Sequence, residues 1–199
     1  MCGAFDEGLD YSLGVNYKYG FNGFPVDLKK AHTYLKAAAK NNAYAAAMMA
    51  FFYLDEDIGD DKFIEDNPIE YIRWLKKAAD MGNDTVIKLM PSFEKKYSRA
   101  IIEGVFKKPT DAKLPGRWEE KGGMGYFVFN PDGTFQSNMI PHKGIYYTEK
   151  KTLVLIIYQT RKELKADEFN LGEVIWGYDI VGDSLAIFID DRWFVYKRR

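Results

Sequence analysis

Leu28–Asn42, LKKAHTYLKAAAKNN, and its echo Pro68–Gly82, PIEYIRWLKKAADMG, decide how the first half of the chain is read. Tyr34-Leu35-Lys36 aligns with Trp74-Leu75-Lys76, and Ala38-Ala39 with Ala78-Ala79, at an offset of 40. Asp27 precedes the first segment and Asn67 the second. Both residue types accept hydrogen bonds from the open N–H groups of a helix start, and Pro68 suits a first helical position. The pattern predicts helices over Leu28–Lys40 and from Pro68 onward. Asn42 and Gly82 follow these helices and both tolerate left-handed backbone, so both read as C-terminal caps.

A partner helix precedes each of them. Leu9, Leu13 and Tyr17 recur at near-helical spacing over Leu9–Tyr19, and Gly14 among them marks a place where another helix comes close. At an offset of 36, Leu13-Gly14 matches Met49-Ala50 and Tyr17 matches Tyr53. A last helix, Asp84–Tyr97, places Leu89 and Phe93 where Met49 and Tyr53 stood. Pro91 is expected to kink or restart it. One helical hairpin cannot bury its apolar face alone, whereas stacked hairpins can. The alanines then set the distance of helix approach, and an atypical last helix suits the end of an array. Tyr34 and Trp74 fall at equivalent positions. They are the candidates for a shared protein-binding surface, the alternative being that both enter the core.

Paired helices, a period near 36 and fixed small residues resemble the Sel1-like repeat, a relative of the tetratricopeptide repeat. The first unit matches at Leu13-Gly14, Tyr17, Gly20, Asp27, Lys30-Ala31, Leu35, Ala38-Ala39 and Asn42. The second matches at Met49-Ala50, Tyr53, Asn67, Trp74-Leu75, Lys77-Ala78-Ala79 and Gly82, with Tyr71 in place of Ala31. The resemblance covers about half the chain and implies a protein-interaction scaffold. Its motif marks packing positions and transfers no binding residue.

Helical patterning stops at Gly104–Pro115, GVFKKPTDAKLP, which reads as a linker with two prolines. Strand patterning follows. Eight short strands are expected at Gly116–Glu120, Gly125–Asn130, Thr134–Asn138, Gly144–Tyr147, Thr152–Tyr158, Glu173–Val181, Ser184–Ile189 and Arg192–Lys197. Turn signals such as Asn130-Pro131-Asp132-Gly133 and Asp190-Asp191 separate several of them. Short, regularly spaced antiparallel strands favour a small barrel or sandwich, and closure hides the strand edges. Thr152–Tyr158, TLVLIIY, is apolar on both faces, so its outer face is expected to be covered, the repeat helices being candidates.

Gly116-Arg117-Trp118 resembles the G-x-W opening of lipocalins and other calycin barrels. Phe127–Phe135, FVFNPDGTF, looks like the F-x-x-D-G-T-F hairpin of bacterial lipocalin-like domains. Lys143–Tyr146 and Tyr178–Leu185 continue the pattern. The resemblance implies that Arg198 or Lys197 packs on Trp118 and closes the barrel floor. It also implies an apolar ligand in the mouth, for which Tyr126, Tyr146 and Trp176 are candidates. The opposing reading is that the many aromatics fill so short a barrel.

The totals limit the chemistry. The chain has 199 residues, 47% of them hydrophobic and 16% aromatic, with a formal net charge of −1. That balance supplies core material but no general attraction to nucleic acid or anionic membrane. Cys2 is the single cysteine, so no intramolecular disulfide or cysteine-based zinc site can form. His32 and His142 are too far apart in sequence to suggest a metal cluster. The acidic stretch Asp55–Asp66, DEDIGDDKFIED, fails the calcium-loop register, with Gly59 fifth and Glu65 eleventh. Gly122–Gly125 precedes a strand and so lacks the helix N-terminus of a phosphate site. No serine elbow or Walker loop occurs. No N-terminal signal or membrane-length apolar run is seen, so the chain as written is expected in the cytoplasm; a leader removed upstream would make it periplasmic or secreted.

The expectation is an α+β protein of two domains: helical repeats with a capping helix over 1–103, a linker over 104–115, and a lipocalin-like antiparallel barrel over 116–199. The function expected is non-enzymatic protein binding by the repeats, or else small apolar-ligand binding in the barrel mouth. No catalytic residue, metal or cofactor is assigned, and neither nucleic acid nor membrane is expected as a partner.

Overall fold

The computed structural model describes residues 7–54, 67–120, 122–140, 142–159 and 170–199, together with positions 64 and 163. The expected acidic loop lies outside the described residues save for Ile64, and Cys2 lies outside them as well. The protein is α+β. Six α-helices occupy the first part of the chain among the described residues, and eight antiparallel strands close into a barrel in the second. Two compact units result, Met1–Lys96 and Tyr97–Arg199.

In the first unit, α1 (Glu7–Tyr19) packs against α2 (Leu28–Ala38), and α3 (Ala43–Phe51) against α4 (Pro68–Asp80). Asp27 begins α2 by accepting the Lys30 N–H at 2.9 Å. Asn67 begins α4 by accepting the Ile69 and Glu70 N–H groups at 3.1 and 3.2 Å. Each helix then buries one stripe: Ala31, Leu35 and Ala38 on α2, and Tyr71, Leu75 and Ala78 on α4, with Ile72 beside them. Each fully buried leucine contributes roughly 1.5–3 kcal/mol of hydrophobic stabilisation. A Cβ added to Gly14 would lie 2.5 Å from Leu35 Cγ, so the glycine is what lets α1 approach α2.

The backbone repeats with the sequence. The N–H of Asp27 donates to the carbonyl of Tyr17 at 2.9 Å, and the N–H of Asn67 donates to the carbonyl of Tyr53 at 3.0 Å. The same bond thus ties each helix start to the aromatic residue closing the preceding helix.

Asn42 departs from its expected role. Its backbone is extended (φ −117°, ψ 113°), and its side chain accepts the Ala45 N–H at 2.9 Å. It starts α3 rather than ending α2. The corresponding residue is Asn83, whose Oδ1 accepts the Val86 N–H at 3.1 Å at the start of α5 (Asp84–Tyr97). Gly82 does serve as a left-handed cap, with φ +89°. Its N–H reaches the Ala79 carbonyl at 2.9 Å, and the Asn83 N–H reaches the Ala78 carbonyl at 2.9 Å, the paired bonds of a Schellman ending. Gly82 therefore adds one residue between the helices. Met90, not Leu89, comes level with Met49, and Leu89 is 37% exposed while Met49 is buried. The helix α5 continues through Pro91 instead of restarting.

The second unit opens with α6 (Arg99–Gly104), a helix the sequence pattern did not announce, capped by Ser98. The strands are β1 (Gly116–Glu120), β2 (Tyr126–Phe129), β3 (Thr134–Ser137), β4 (Lys143–Glu149), β5 (Thr152–Gln159), β6 (Asn170–Val181), β7 (Ser184–Ile189) and β8 (Arg192–Arg198). Each pairs with its sequence neighbours, and β8 returns to β1 through Trp118↔Arg198 and Glu119↔Lys197.

The expected linker is held tightly to the barrel. Thr110 and Asp111 both donate their N–H groups to Thr148 Oγ1, at 3.0 and 3.1 Å. Tyr178 donates its hydroxyl to Asp111 Oδ2 at 2.8 Å, and Leu114 is fully buried in the barrel core. The helix α6 covers part of the outer face of β4 and β5. A Cβ added to Gly104 would lie 2.7 Å from Ile156 Cδ1 and 3.1 Å from Tyr147 Cε1. That cover explains why Ile156 and Tyr147 are buried although they point outward.

Candidate binding surfaces

Tyr34 and Trp74 occupy equivalent places and are both half-buried. Each lies against the repeat-equivalent tyrosine. Tyr17 and Tyr34 stack with centroids 5.8 Å apart and planes 2° from parallel. Trp74 donates a side-chain hydrogen bond to the Tyr53 hydroxyl. Burial raises the Tyr53 phenol above its ordinary range, with that bond acting the other way. A lysine completes each pair: Lys30 lies 5.1 Å from the Tyr17 centroid and Lys77 5.0 Å from that of Trp74. Phe24 adds an edge-on ring to Tyr17 at 5.0 Å. The first unit thus carries two aromatic shelves, each with a cation, whose outer parts reach solvent.

Sequence reading passed over Lys18. Its ammonium lies 5.2 Å from the Phe52 ring, 5.3 Å from Tyr19 and 5.8 Å from Phe51, and the residue is buried. The adjoining aromatics were visible in the sequence, but their convergence on one lysine depends on how α1 and α3 pack.

The barrel candidates separate. Tyr146 is buried among Phe127, Phe129, Phe135 and Tyr196, its ring 4.8 Å from Phe129 and its hydroxyl donating to the Asn130 carbonyl at 2.8 Å. Burial pushes this phenol well above the ordinary tyrosine range, with Asp132 and Asp111 adding to the effect. Trp176 points inward, edge-on to Phe127 at 5.9 Å, and is partly buried. Tyr126 points outward, since its neighbour Phe127 enters the core and strand side chains alternate. Arg117 lies 4.3 Å over its ring.

The two barrel ends differ. At the end holding Gly116 and the β8 terminus, Leu114, Trp118 and Arg198 close the interior. The Trp118 indole N–H donates to the Leu114 carbonyl at 2.7 Å. At the opposite end, where β5 meets β6 and β7 meets β8, Ile140, Ile157, Val174, Ile189 and Phe194 pack on the core but remain partly exposed. That end is an apolar rim over an interior filled by the protein's own rings.

His142 stands in the β3–β4 connection at the same end, half-buried. Among the described residues no three His, Cys, Asp or Glu side chains gather where a metal ion would need them. No helix among them is long and apolar enough to cross a membrane. No protein-family model, curated protein or solved structure matches the chain.

Proposed function

We propose that the chain is a non-enzymatic interaction protein whose helical unit, a short Sel1-like repeat array, presents the Tyr17–Tyr34 and Tyr53–Trp74 shelves to a protein or peptide partner. The carrying observation is the recurrence of a partly exposed aromatic pair at equivalent places in both repeats, Tyr17–Tyr34 and Tyr53–Trp74. Each has a lysine nearby that comes from a different repeat position, Lys30 over Tyr17 and Lys77 over Trp74. Tyrosine and tryptophan carry a large apolar ring with a polar tip, and rings of this kind with one face open are enriched among the residues that anchor a partner. On this reading the barrel is lipocalin-like.

Selection from a random peptide display against the whole chain tests the proposal. Selected peptides should lose at least tenfold in affinity to Tyr34→Ala and Trp74→Ala, each of which removes an aromatic anchor while leaving the buried stripe in place. Failure to select any peptide, or selection of peptides indifferent to both changes, would overturn it.

A second reading rests on the apolar rim formed by Ile140, Ile157, Val174, Ile189 and Phe194. It proposes a small apolar ligand seated shallowly there, with Trp176 beneath it. Titration with a fluorescent fatty-acid probe checks this reading, and an Ile157→Asp change on the rim should abolish the signal.

A further inference from the structure

We propose that the outer face of β6–β8 is the contact surface of a symmetric dimer of this chain. Ile175, Val181, Trp193 and Val195 are 61%, 72%, 57% and 47% exposed there, and Phe188 joins them. Phe188 and Trp193 are paired directly across the strands with rings 5.1 Å apart, and Ala186 pairs with Val195. Ala186, Phe188, Trp193 and Val195 adjoin one another on β7 and β8, while Ile175 and Val181 flank them on β6 with Gly177 and the Asp179–Lys151 ion pair between. An exposed apolar patch with a polar rim of this kind on a closed barrel marks an interaction site. Among the described residues no open strand edge competes with it, because the eight strands close into a barrel.

The arrangement of side chains selects a second copy as the occupant. Tyr178, Ile187 and Phe194 form one inward-facing row across the three strands. A two-fold axis lying over that row, perpendicular to the strands, relates the residues on its two sides. It sets Trp193 against the partner's Val195, Phe188 against the partner's Ala186, and Ile175 against the partner's Val181. Large side chains meet small ones on β7 and β8, two exposed aliphatics meet on β6, and Gly177 faces the partner's Asp179, whose ion pair with Lys151 lies at the edge of the patch. The same axis sets Asp191 against the partner's Lys197, and Asp190 against the partner's Ser184.

Charge agrees with that placement. Asp190 and Asp191 are exposed in the β7–β8 turn, and neither forms an ion pair among the described residues. Lys197, four residues beyond Trp193, is exposed and bonded to the Ser184 hydroxyl. Exposed Arg192 and Asp183 stand at the same two ends, and among these charges Asp191 of one copy meets Lys197 of the other only when the strands of the two copies run in opposed directions. An isologous interface forms each such contact twice. Complementary rim charges of this kind fix register and orientation.

Sedimentation equilibrium of the whole chain over a wide concentration range tests the proposal. The expected result is a reversible monomer–dimer equilibrium. Asp191→Lys and Lys197→Asp should each weaken the dimer about tenfold, and the double variant should recover to within about threefold of the original, as coupled opposite charges do. Lys150 already holds left-handed backbone in another turn (φ 54°), so lysine suits the Asp191 position. Trp193→Glu should give a monomer with unchanged circular dichroism; if that variant fails to fold, the charge pair decides. A chain that stays monomeric up to millimolar concentration, or a dimer indifferent to both single reversals, overturns the proposal.

Discussion

The guanidinium of Arg198 lies 4.3 Å from the centroid of the Trp118 ring, beneath the closed end of the barrel. It also donates to the Pro115 carbonyl at 3.0 Å and to the Lys113 carbonyl. One side chain thus joins the last strand, the first strand and the segment leading into the barrel. Gly116 makes the arrangement possible: its φ is +142°, and a Cβ there would lie 2.8 Å from Arg198 Nη1.

Arg198→Ala is therefore expected to lower the unfolding free energy of the barrel by roughly 2–3 kcal/mol, combining a lost cation–π contact with two carbonyls left without their charged donor. Arg198→Lys should recover only part of this, because a point charge cannot stack and fork as a planar guanidinium does. Urea unfolding followed by tryptophan fluorescence measures both.

The helix starts give a second expectation. Asn42, Asn67 and Asn83 each accept a backbone N–H with Oδ1. Replacing any one with alanine should cost about 1 kcal/mol, the usual loss when an N-cap acceptor is removed. Gly82→Ala should cost a comparable amount, about 1 kcal/mol, because its backbone is left-handed. Thermal unfolding monitored by circular dichroism at the helix signal reads all four. Loss at Asn42 comparable to that at Asn83 would follow from their shared role and would not follow from a C-cap role for Asn42.

That pair also shows where sequence reading stopped. Asparagine suits both a left-handed helix end and a helix start, so Asn42 was open to either reading until its neighbours were placed. The signal was present in Gly82-Asn83, where glycine takes the end and asparagine the start. The strands were easier, because alternation and turn residues are local; β1 and β7 match the expected bounds, and β6 starts three residues earlier than expected. The helix α6 escaped notice because six residues are too few to display a helical period. Tyr126 and Tyr146 looked alike as ligand candidates, and only strand register separates the outward ring from the inward one. The shelves depend on pairing Tyr17 with Tyr34 and Tyr53 with Trp74 between successive helices, which no local pattern encodes.

His32 gives the chain a pH dependence whose sign follows from its burial. Burial, helped by the positive charge of Lys36, lowers its pKa below the ordinary value of 6.5. Its ring meets Phe52 edge-on at 5.4 Å. The unfolded chain takes up a proton near the ordinary value, and the folded chain resists it. The stability tied to neutral His32 is thus complete above the unfolded pKa and is lost as pH falls below it toward the lowered folded pKa. In His32→Gln this slope should vanish, so the stability gap between wild type and variant should narrow from about pH 8 to about pH 5, measured by urea unfolding at each.

The place where the chain divides can be tested by cutting it. The segment 104–115 supplies the barrel with a buried leucine, a partner for the Tyr178 hydroxyl and two donors to Thr148, and α6 covers Ile156 and Tyr147. A fragment starting at Gly116 leaves Ile156 and Tyr147 without that cover and opens the end beneath Trp118. Burying one large aliphatic side chain is worth about 1.5–3 kcal/mol, and a small domain has only about 5–15 kcal/mol in total, so losing several such contacts is decisive. The fragment Tyr97–Arg199 should therefore unfold cooperatively in urea with dispersed amide resonances. The fragment Gly116–Arg199 should show collapsed, poorly dispersed spectra. Equal stability of the two fragments would mean that the segment merely lies on the barrel, and would return the division to Pro115.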